Sequence, residues 1–422
     1  MDKLLNVYLA RADAEDSGVQ IWLPAQPYEL RDVLEKANLT EDSALSLALD
    51  DFGDKASFFV GVIEMSTDLR MIRGLNAFAW KVADMKDPEL SGFEWLVRYT
   101  SRDGEYMISL PDLYDLAATT SCLHYFPNIT DDEELGRYLV AHGSSLELTD
   151  NPNSETAQPI WKLGLKHRES HGGNFLGDCG WYMEWAGDIA EEWKDLDLSP
   201  REPDYTVLLE VRNPDDKGRT ATLKLPAAVA EINAVLDSLG IADNTEPSIQ
   251  CLDCRVPALA ELITGYGRIA GANDAACRLN EMAEKDIPIY GAILATVPCT
   301  TLEAALSQMD QVDQCILTPE IKSPADMGKA ELTFMLGEDG AETLLPFVNL
   351  PAYGMELLKK ENTVLTPYGA IDRKDCQPLL GLEARTADDG HDGRQNSTVP
   401  QEQAAKPSQD GRRARKSGRM DR

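Results

Sequence analysis

The side chains with metal-binding chemistry in this chain do not form a recognisable catalytic motif. His167 and His171 have the i, i+4 spacing that would place two imidazoles on one helix face, but no glutamate follows His167 as the zinc-protease motif requires. The adjacent Gly172-Gly173 pair favours a loop over a helix. We therefore expect no metal at the two histidines.

The cysteines and glycines also fall short of functional motifs. Cys251 and Cys254 form a single C-x-x-C pair without the second pair that a zinc site needs, and no βαβ context suggests a redox role. The glycines at 265, 267 and 271 are spaced one residue too widely for a dinucleotide-binding loop, so Gly271 and its counterpart Gly74 are interpreted as packing or turn glycines. Carboxylates are so numerous that spacing alone identifies no catalytic pair. We expect no enzyme, no catalytic residue, no metal and no cofactor.

Negative charge is the dominant property of the sequence. The 422 residues include 72 Asp and Glu against 40 Lys and Arg, a formal charge of −32. Residues 384–422 carry nine basic and six acidic side chains, so the rest of the chain carries −35. Hydrophobic residues make up 43%, enough to bury a core. Such a body repels nucleic acid and attracts cationic surfaces over about 8 Å, the Debye length at physiological salt. The carboxylates serve either solubility or the imitation of a polyanion.

The two ends of the chain and its hydropathy bear on its location. No apolar run is long enough to span a membrane, and the first 17 residues are too short and too acidic for a secretory signal. The cysteines lack the spacing of a disulfide framework, so we expect reduced thiols in the cytoplasm. Residues 384–422 are almost free of apolar side chains and end in a basic cluster, which predicts a disordered tail.

One unit occurs twice in the sequence. Residues 21–39 align without gaps on residues 223–241, and both segments contain Leu-Pro-Ala, at 23–25 and 225–227, followed by helical apolar spacing. A polar turn between two strand-like segments precedes each copy, and a second helix follows at 72–85 and 269–282. Each copy therefore reads as a hairpin, a helix, a strand-like segment and a second helix.

These patterns predict an α+β protein built as an elongated array of small modules, with two related units and a disordered C-terminal tail. Residues 109–143 read as two helices, with a capping box between Thr130 and Glu133. Trp185, Ile189 and Trp193 have helical spacing, which predicts a buried stripe. The predicted modules are the N-terminal unit at 1–98, an acidic helical module at 99–150, a Trp- and acid-rich connector at 151–203, a second, degenerate unit at 204–345, an extension at 346–383 and the tail at 384–422.

The first unit resembles the N-terminal half of ArdA-type antirestriction proteins. The resemblance rests on the segments NVYLARADAEDSGVQIWLP, LRDVLEKANL, LDDFG and STDLRMIRGLNAFAWKV, and TDDEELGRYLVAHG resembles the later acidic helix of that family. The resemblance covers roughly residues 1–143, with a weaker echo at 205–345. This chain is longer than typical members, repeats the unit and adds a basic tail.

The resemblance implies an acidic, dimeric, non-enzymatic protein of a conjugative element that mimics B-form DNA. Such proteins occupy the DNA groove of type I restriction–modification enzymes. The charge agrees with this role, because −35 at one charge per roughly 1.7 Å of duplex corresponds to about 60 Å, or about 18 base pairs. The implied partner is the restriction–modification enzyme, with no nucleic acid and no membrane bound directly. Two assemblies are open: a homodimer, or a single chain in which the duplicated unit does what the second subunit of a dimer does elsewhere.

We select the mimic surface from acidic clusters in or beside the family-like segments and in the connector. Its predicted members are Asp42, Asp50, Asp51, Asp54, Asp131, Asp132, Glu133, Glu134, Glu184, Asp188, Glu191 and Glu192. An alternative function is an acidic adaptor of a conjugative element that binds a relaxase or another basic protein without displacing DNA. A third alternative is an enzyme. A substrate turnover that is lost on changing one His or Cys would reveal it.

Overall fold

A computed structural model describes residues 2–379 apart from 15–16, 41–42, 60, 143–158, 178–179, 186, 201, 217 and 242–244, and it leaves the side chains of residues 54 and 59 undescribed. The predicted tail lies outside the described residues. Residues 1–381 form one compact unit. The mixed α+β class predicted from the sequence is confirmed.

The described elements fall into two halves with the same order, except that the second half has one additional helix, α8, after its third strand. Those of the first half are β1 (Leu5–Arg11), β2 (Val19–Leu23), α1 (Pro27–Lys36), β3 (Leu45–Phe52), α2 (Leu69–Ala83), α3 (Asp87–Ser101), α4 (Leu110–Thr119), β4 (Leu123–Pro127), α5 (Asp132–Ala141), α6 (Ile160–His171), β5 (Asn174–Phe175) and β6 (Trp181–Trp185). Those of the second half are β7 (Val207–Arg212), β8 (Thr220–Leu225), α7 (Val229–Leu239), β9 (Ser248–Cys254), α8 (Ala260–Tyr266), α9 (Ile269–Glu281), α10 (Ile287–Thr296), α11 (Leu302–Ser307), β10 (Cys315–Thr318), α12 (Pro324–Leu344), α13 (Leu350–Glu361), β11 (Val364–Thr366) and β12 (Gly369–Arg373).

The predicted repeat is visible in two equivalent antiparallel sheets. Their strand orders are β2-β1-β3 and β8-β7-β9. Leu5 pairs with Leu23, and Val207 pairs with Leu225, positions that the sequence alignment equates. Both sheets also have a register shift at the same place, between Asn6 and Val7 and between Leu208 and Leu209. The bond before the proline of each Leu-Pro-Ala segment is cis.

An asparagine fastens the Leu-Pro-Ala segment in each repeat. The Asn76 amide accepts the Ala25 N–H at 2.7 Å and donates to the Ala25 carbonyl at 3.0 Å. Asn273 makes the same pair of bonds with Ala227, at 2.8 and 3.2 Å. Each amide thus satisfies both polar groups of one backbone residue and ties α2 or α9 to the start of α1 or α7.

The core of the first half gathers around α2. Its apolar positions Ile72, Leu75, Ala79 and Val82 recur at helical spacing and are completely buried. The helix begins at Asp68, whose carboxylate accepts the Arg70 N–H. A side chain at Gly74 would overlap the Trp193 ring, and one at Gly271 would overlap the ring of Tyr266. The interpretation of both residues as packing glycines is therefore confirmed.

The duplication extends beyond what the sequence indicated. The orders β4-β6-β5 and β10-β12-β11 describe two more equivalent sheets, and in each a pair of packed helices lies in sequence between the first strand and the other two. The helices of each pair approach closely at glycines: a Cβ on Gly164 would overlap the Asp132 carbonyl, and one on Gly354 would overlap the Pro324 carbonyl. Gly136 and Gly328 lie on the facing helices. Each repeat therefore comprises both modules.

Three predicted module boundaries cut through these elements. The boundary at 98/99 falls inside α3. That at 150/151 separates α5 from α6, and that at 345/346 separates α12 from α13 and β10 from its partner strand β12. These boundaries followed changes in composition, whereas the helix pairs are joined by glycine contacts between residues distant in sequence.

The two repeats meet through α1 of the first. The Tyr28 N–H near the start of α1 donates to Asp253 Oδ2 on β9 at 3.2 Å, and the Tyr205 hydroxyl donates to the same oxygen at 2.8 Å. The Tyr28 hydroxyl donates to the Tyr205 carbonyl at 2.6 Å. Asp253 thereby adds a second carboxylate to this helix end, where Glu29 of the same repeat already accepts the Gln26 N–H at 3.0 Å.

The other end of α1 is held by the second module of the second repeat. Lys322 Nζ donates to the Lys36 carbonyl at 2.9 Å and to the Pro367 carbonyl at 2.6 Å. The Tyr368 hydroxyl donates to Asp32, whose other oxygen lies 2.6 Å from Lys36 Nζ. Burial lowers the pKa of Lys322 to about 8. Both ends of one helix are thus bound by the partner repeat.

Docking buries carboxyl groups that would otherwise be hydrated. Burial raises the pKa of Glu35 on α1 to about 7, with Asp32 and Glu284 acting in the same direction against Arg31 and Lys36. Burial raises the pKa of Asp253 to about 6, against the bonds it accepts from Tyr205, Tyr28 and Cys254. A raised pKa in the folded state means that the stabilising effect of the bound proton is present at low pH and is lost as pH rises through the folded pKa.

We expect Asn76→Ala to lower the free energy of unfolding by about 1–3 kcal/mol, because the N–H of the fully buried Ala25 loses its acceptor. Urea unfolding followed by circular dichroism measures this. Asn233→Ala on the exposed face of α7 is the matched control and should change stability by less than about 0.5 kcal/mol. Equal effects of the two substitutions would contradict the role assigned to Asn76.

We expect Glu35→Gln to stabilise the protein at pH 8 by up to about 3 kcal/mol and to change it little at pH 5, because only the parent must ionise a buried carboxyl. Urea unfolding at both pH values measures the difference. Asp237→Asn is the control, since Asp237 is the exposed residue at the equivalent position of α7. A pH-independent difference between Glu35→Gln and the parent would refute the expectation.

Candidate partner-binding surface

Asp50 and Asp51 lie exposed on an edge strand of the first sheet. Asn6 pairs with Asp51 and Val7 with Leu49, so Asp50 is the extra residue of a bulge. Asp50 accepts a hydrogen bond from the Gln20 amide at 2.6 Å, and neither carboxylate has an ion-pair partner among the described residues. Charge on an edge strand also prevents sheet extension, so these residues serve the fold as well as any partner.

The acidic run at 131–134 lies at the start of α5, and most of its carboxylates already bond to nearby groups of the protein. Asp131 is the N-cap and accepts the Glu133 and Glu134 N–H groups at 2.9 and 2.8 Å. Glu134 accepts the N–H and the hydroxyl of Thr130, both at 2.7 Å. The predicted capping box between Thr130 and Glu133 is wrong: Asp131 is the N-cap, and Glu134 accepts from Thr130 rather than from the N-cap residue. These carboxylates primarily satisfy the helix N-terminus.

Asp132 and Glu133 in the same run form ion pairs. Arg168 on α6 binds Asp132 through Nε and Nη2 at 2.8 and 3.1 Å, a two-point contact across the helix pair. Glu133 pairs with Arg137 one turn along α5. Asp132 is only half exposed, so it contributes less negative potential to the surface than its sequence position suggested.

Glu184 is not a surface residue. It lies on β6 with 9% of its area exposed, and its Oε1 is 2.6 Å from His167 Nε2. The sequence prediction that Glu184 contributes to a mimic surface is therefore wrong, because strand alternation turns it inward against α6. The expected loop at His167 and His171 is also wrong: both lie on α6, their rings stacked at 4.0 Å, and the glycines end the helix.

The segment 187–200 crosses α2 and α4 as an irregular strap. The Ala190 N–H donates to Thr119 Oγ1 at 3.0 Å, and the Trp193 N–H donates to Asp115 at 2.7 Å. Trp185 and Trp193 pack against the core, whereas Ile189 is 59% exposed. The predicted helical stripe is therefore wrong, since two N–H groups of this segment donate to side chains of α4, and the segment forms a 3-10 turn at Trp193–Asp195.

The strap presents three of the predicted carboxylates, all exposed. Asp188 has no hydrogen-bond or ion-pair partner among the described residues. Glu191 pairs with Lys194 at 2.7 Å, and Glu192 pairs with Lys81 on α2 at 2.5 Å. Of the remaining predicted residues, Asp42 lies outside the described residues, and Asp54 begins a short 3-10 segment with its side chain undescribed.

Many exposed carboxylates that motif reasoning did not select have no partner within the described residues. They occur in both repeats and lie mainly on helices and in turns, where no motif distinguishes them from ordinary solvated acids. Examples are Asp84, Asp103, Glu105, Glu169, Glu261, Asp274, Glu281 and Glu303. The uncompensated charge is therefore distributed over both repeats rather than concentrated at the predicted clusters.

Comparisons with known proteins add no family to this description: no protein-family model matches the chain, and no curated protein matches its sequence. Within the described part of the chain, every helix is too short or too polar to cross a membrane. Over the same residues, no three His, Cys, Asp or Glu side chains are grouped so that they could hold a metal ion.

Glu184→Ala should destabilise the fold by about 1–3 kcal/mol, because the half-buried His167 loses its partner. Asp188→Ala, four residues away and exposed, should leave the melting temperature unchanged. Thermal unfolding of both variants measures the difference. An unchanged melting temperature for Glu184→Ala would show that the pair with His167 does not support the fold.

Proposed function

We propose that this protein is a non-enzymatic ArdA-type antirestriction protein of the cytoplasm that mimics B-form DNA and occupies the DNA groove of a type I restriction–modification enzyme. The observation that carries the proposal is the charge of −35 on residues 1–383, on a body whose exposed carboxylates are largely without ion-pair partners among the described residues. Cationic grooves shaped for DNA are the natural targets of such a surface.

The distribution of the charge supports this proposal over a local acidic site. Unpartnered carboxylates occur in both repeats, and the α1 contacts hold those repeats together. Two repeats in one chain then offer a charged surface on the scale of about 18 base pairs, the length expected from the net charge. A solubilising role for the same carboxylates predicts no competition with DNA.

Displacement of DNA is the property that separates the mimic from an adaptor. A purified type I restriction–modification enzyme is bound to labelled duplex DNA and titrated with the protein at low and at physiological salt. We expect displacement at near-stoichiometric protein, weakening as salt rises because counterions are released on binding. A ternary complex of protein, enzyme and DNA would contradict mimicry and favour an adaptor. Absence of binding would refute the type I enzyme as the target, and a pull-down for a relaxase or another basic partner would then test the adaptor.

Charge reversal at the exposed, unpaired members of the predicted surface tests which carboxylates take part. The triple variant Asp50→Lys, Asp51→Lys, Asp188→Lys should weaken displacement by about 10- to 100-fold and flatten its salt dependence, since exposed charges each contribute about 0–1 kcal/mol. The matched triple change to Asn should fall between this variant and the parent. Equal displacement by all three proteins would exclude these residues from the contact.

A further inference from the structure

The second repeat exposes five large apolar side chains on the two sides of an interruption in α12. Phe334 and Phe347 are 86% and 83% exposed, and Met335, Leu336 and Leu344 are also exposed. We call these five residues the α12 patch. Burying a side chain of this size is favourable by roughly 1.5–3 kcal/mol, and a concentration of exposed apolar residues marks an interaction site.

The backbone presents the patch at a break rather than along a continuous helix. Gly337 has φ 71° and ψ 168°, so α12 stops at Leu336 and restarts at Glu338. A residue with a side chain rarely adopts this conformation, which explains the glycine. The segment up to Leu336 packs through Gly328 on α13, while Phe334 points away from that contact into solvent.

The first repeat has a histidine at the position equivalent to Phe334. Gly136 of α5 corresponds to Gly328 of α12, and at the same spacing His142 stands where α12 has Phe334. His142 is stacked on Tyr138 at 4.0 Å and bonds to the carbonyl of that residue. The apolar end of α12 therefore distinguishes the second repeat from the first.

The charge around the α12 patch limits what can cover it. Residues 330–358 contain five acidic side chains and no Lys or Arg. Glu338, Asp339 and Glu342 are exposed and have no partner among the described residues. A second copy of the chain would bring these carboxylates together, and like charges facing each other at an interface cost several kcal/mol. An apolar pocket with a basic rim is the complementary surface.

We propose that the α12 patch is an apolar anchor that inserts into such a basic-rimmed pocket on the target restriction–modification enzyme. This inference rests on the proposed function and adds to it a contact that the phosphates of DNA cannot make. Apolar contacts respond weakly to added salt, whereas carboxylate contacts weaken steeply. The anchor therefore maintains binding to the enzyme at salt concentrations that loosen the charged contacts.

The test separates these two contributions by measuring Kd for the enzyme at two salt concentrations. The double variant Phe334→Ser, Phe347→Ser should bind about 10- to 100-fold more weakly at both concentrations, with an unchanged salt slope. Tyr99→Ser with Tyr106→Ser, which removes two exposed aromatic rings of the first repeat, is the matched control and should bind within about threefold of the parent.

Each alternative result has a distinct meaning. A parent that displaces DNA while the double variant binds equally well overturns the anchor and leaves the proposed function standing. A parent that never displaces DNA overturns the proposed function and the anchor with it. A parent that is dimeric by sedimentation and becomes monomeric on the double substitution assigns the patch to a second copy, which also overturns the anchor.

Discussion

The contact between Asp253 and the start of α1 is the interaction on which the arrangement of this molecule depends. A carboxylate of the second repeat accepts the N–H of Tyr28 in the first, while Lys322 holds the last carbonyl of the same helix. The helix therefore contacts both repeats: its inner face packs on the sheet of its own repeat, and each of its ends is bonded to the other repeat. Any surface that spans both repeats relies on this contact for its geometry.

The carboxylates of the chain divide into those that build the fold and those left in water. The first group accepts hydrogen bonds from backbone or half-buried groups and includes Asp253, Asp131 and Glu184. The negative charge of these carboxylates stabilises local structure and is less available to a partner. Asp188 and Asp274 make no such bonds among the described residues. The net charge of the chain therefore overstates the negative potential at its surface, and a DNA mimic must derive that potential from the carboxylates left in water.

The repeat was predictable because it rests on local pattern. Leu-Pro-Ala, the helical spacing that follows and the matched asparagines are contiguous signals, and the sheets and helices appear where they indicated. The helix pairs escaped prediction because Gly136 and Gly164 meet across residues far apart in sequence, and small residues carry no periodic signal. Glu184 was predicted at the surface for a related reason. The sequence around an acidic residue in a strand does not show whether its side chain faces water or a histidine 17 positions earlier.

The α1 contact joins two different surfaces, helix α1 of the first repeat and the β9 region of the second, so the two repeats are not related by a symmetric contact. A contact of this heterologous kind can in principle be passed from copy to copy, since α7 occupies in the second repeat the place that α1 occupies in the first. The residues at α7 do not allow this. Where α1 has Tyr28, Arg31, Asp32 and Lys36, α7 has Ala230, Asn233, Ala234 and Ser238. The residues of α1 that make this contact therefore occur once per chain, and α7 of the second repeat does not offer the same contact to another copy.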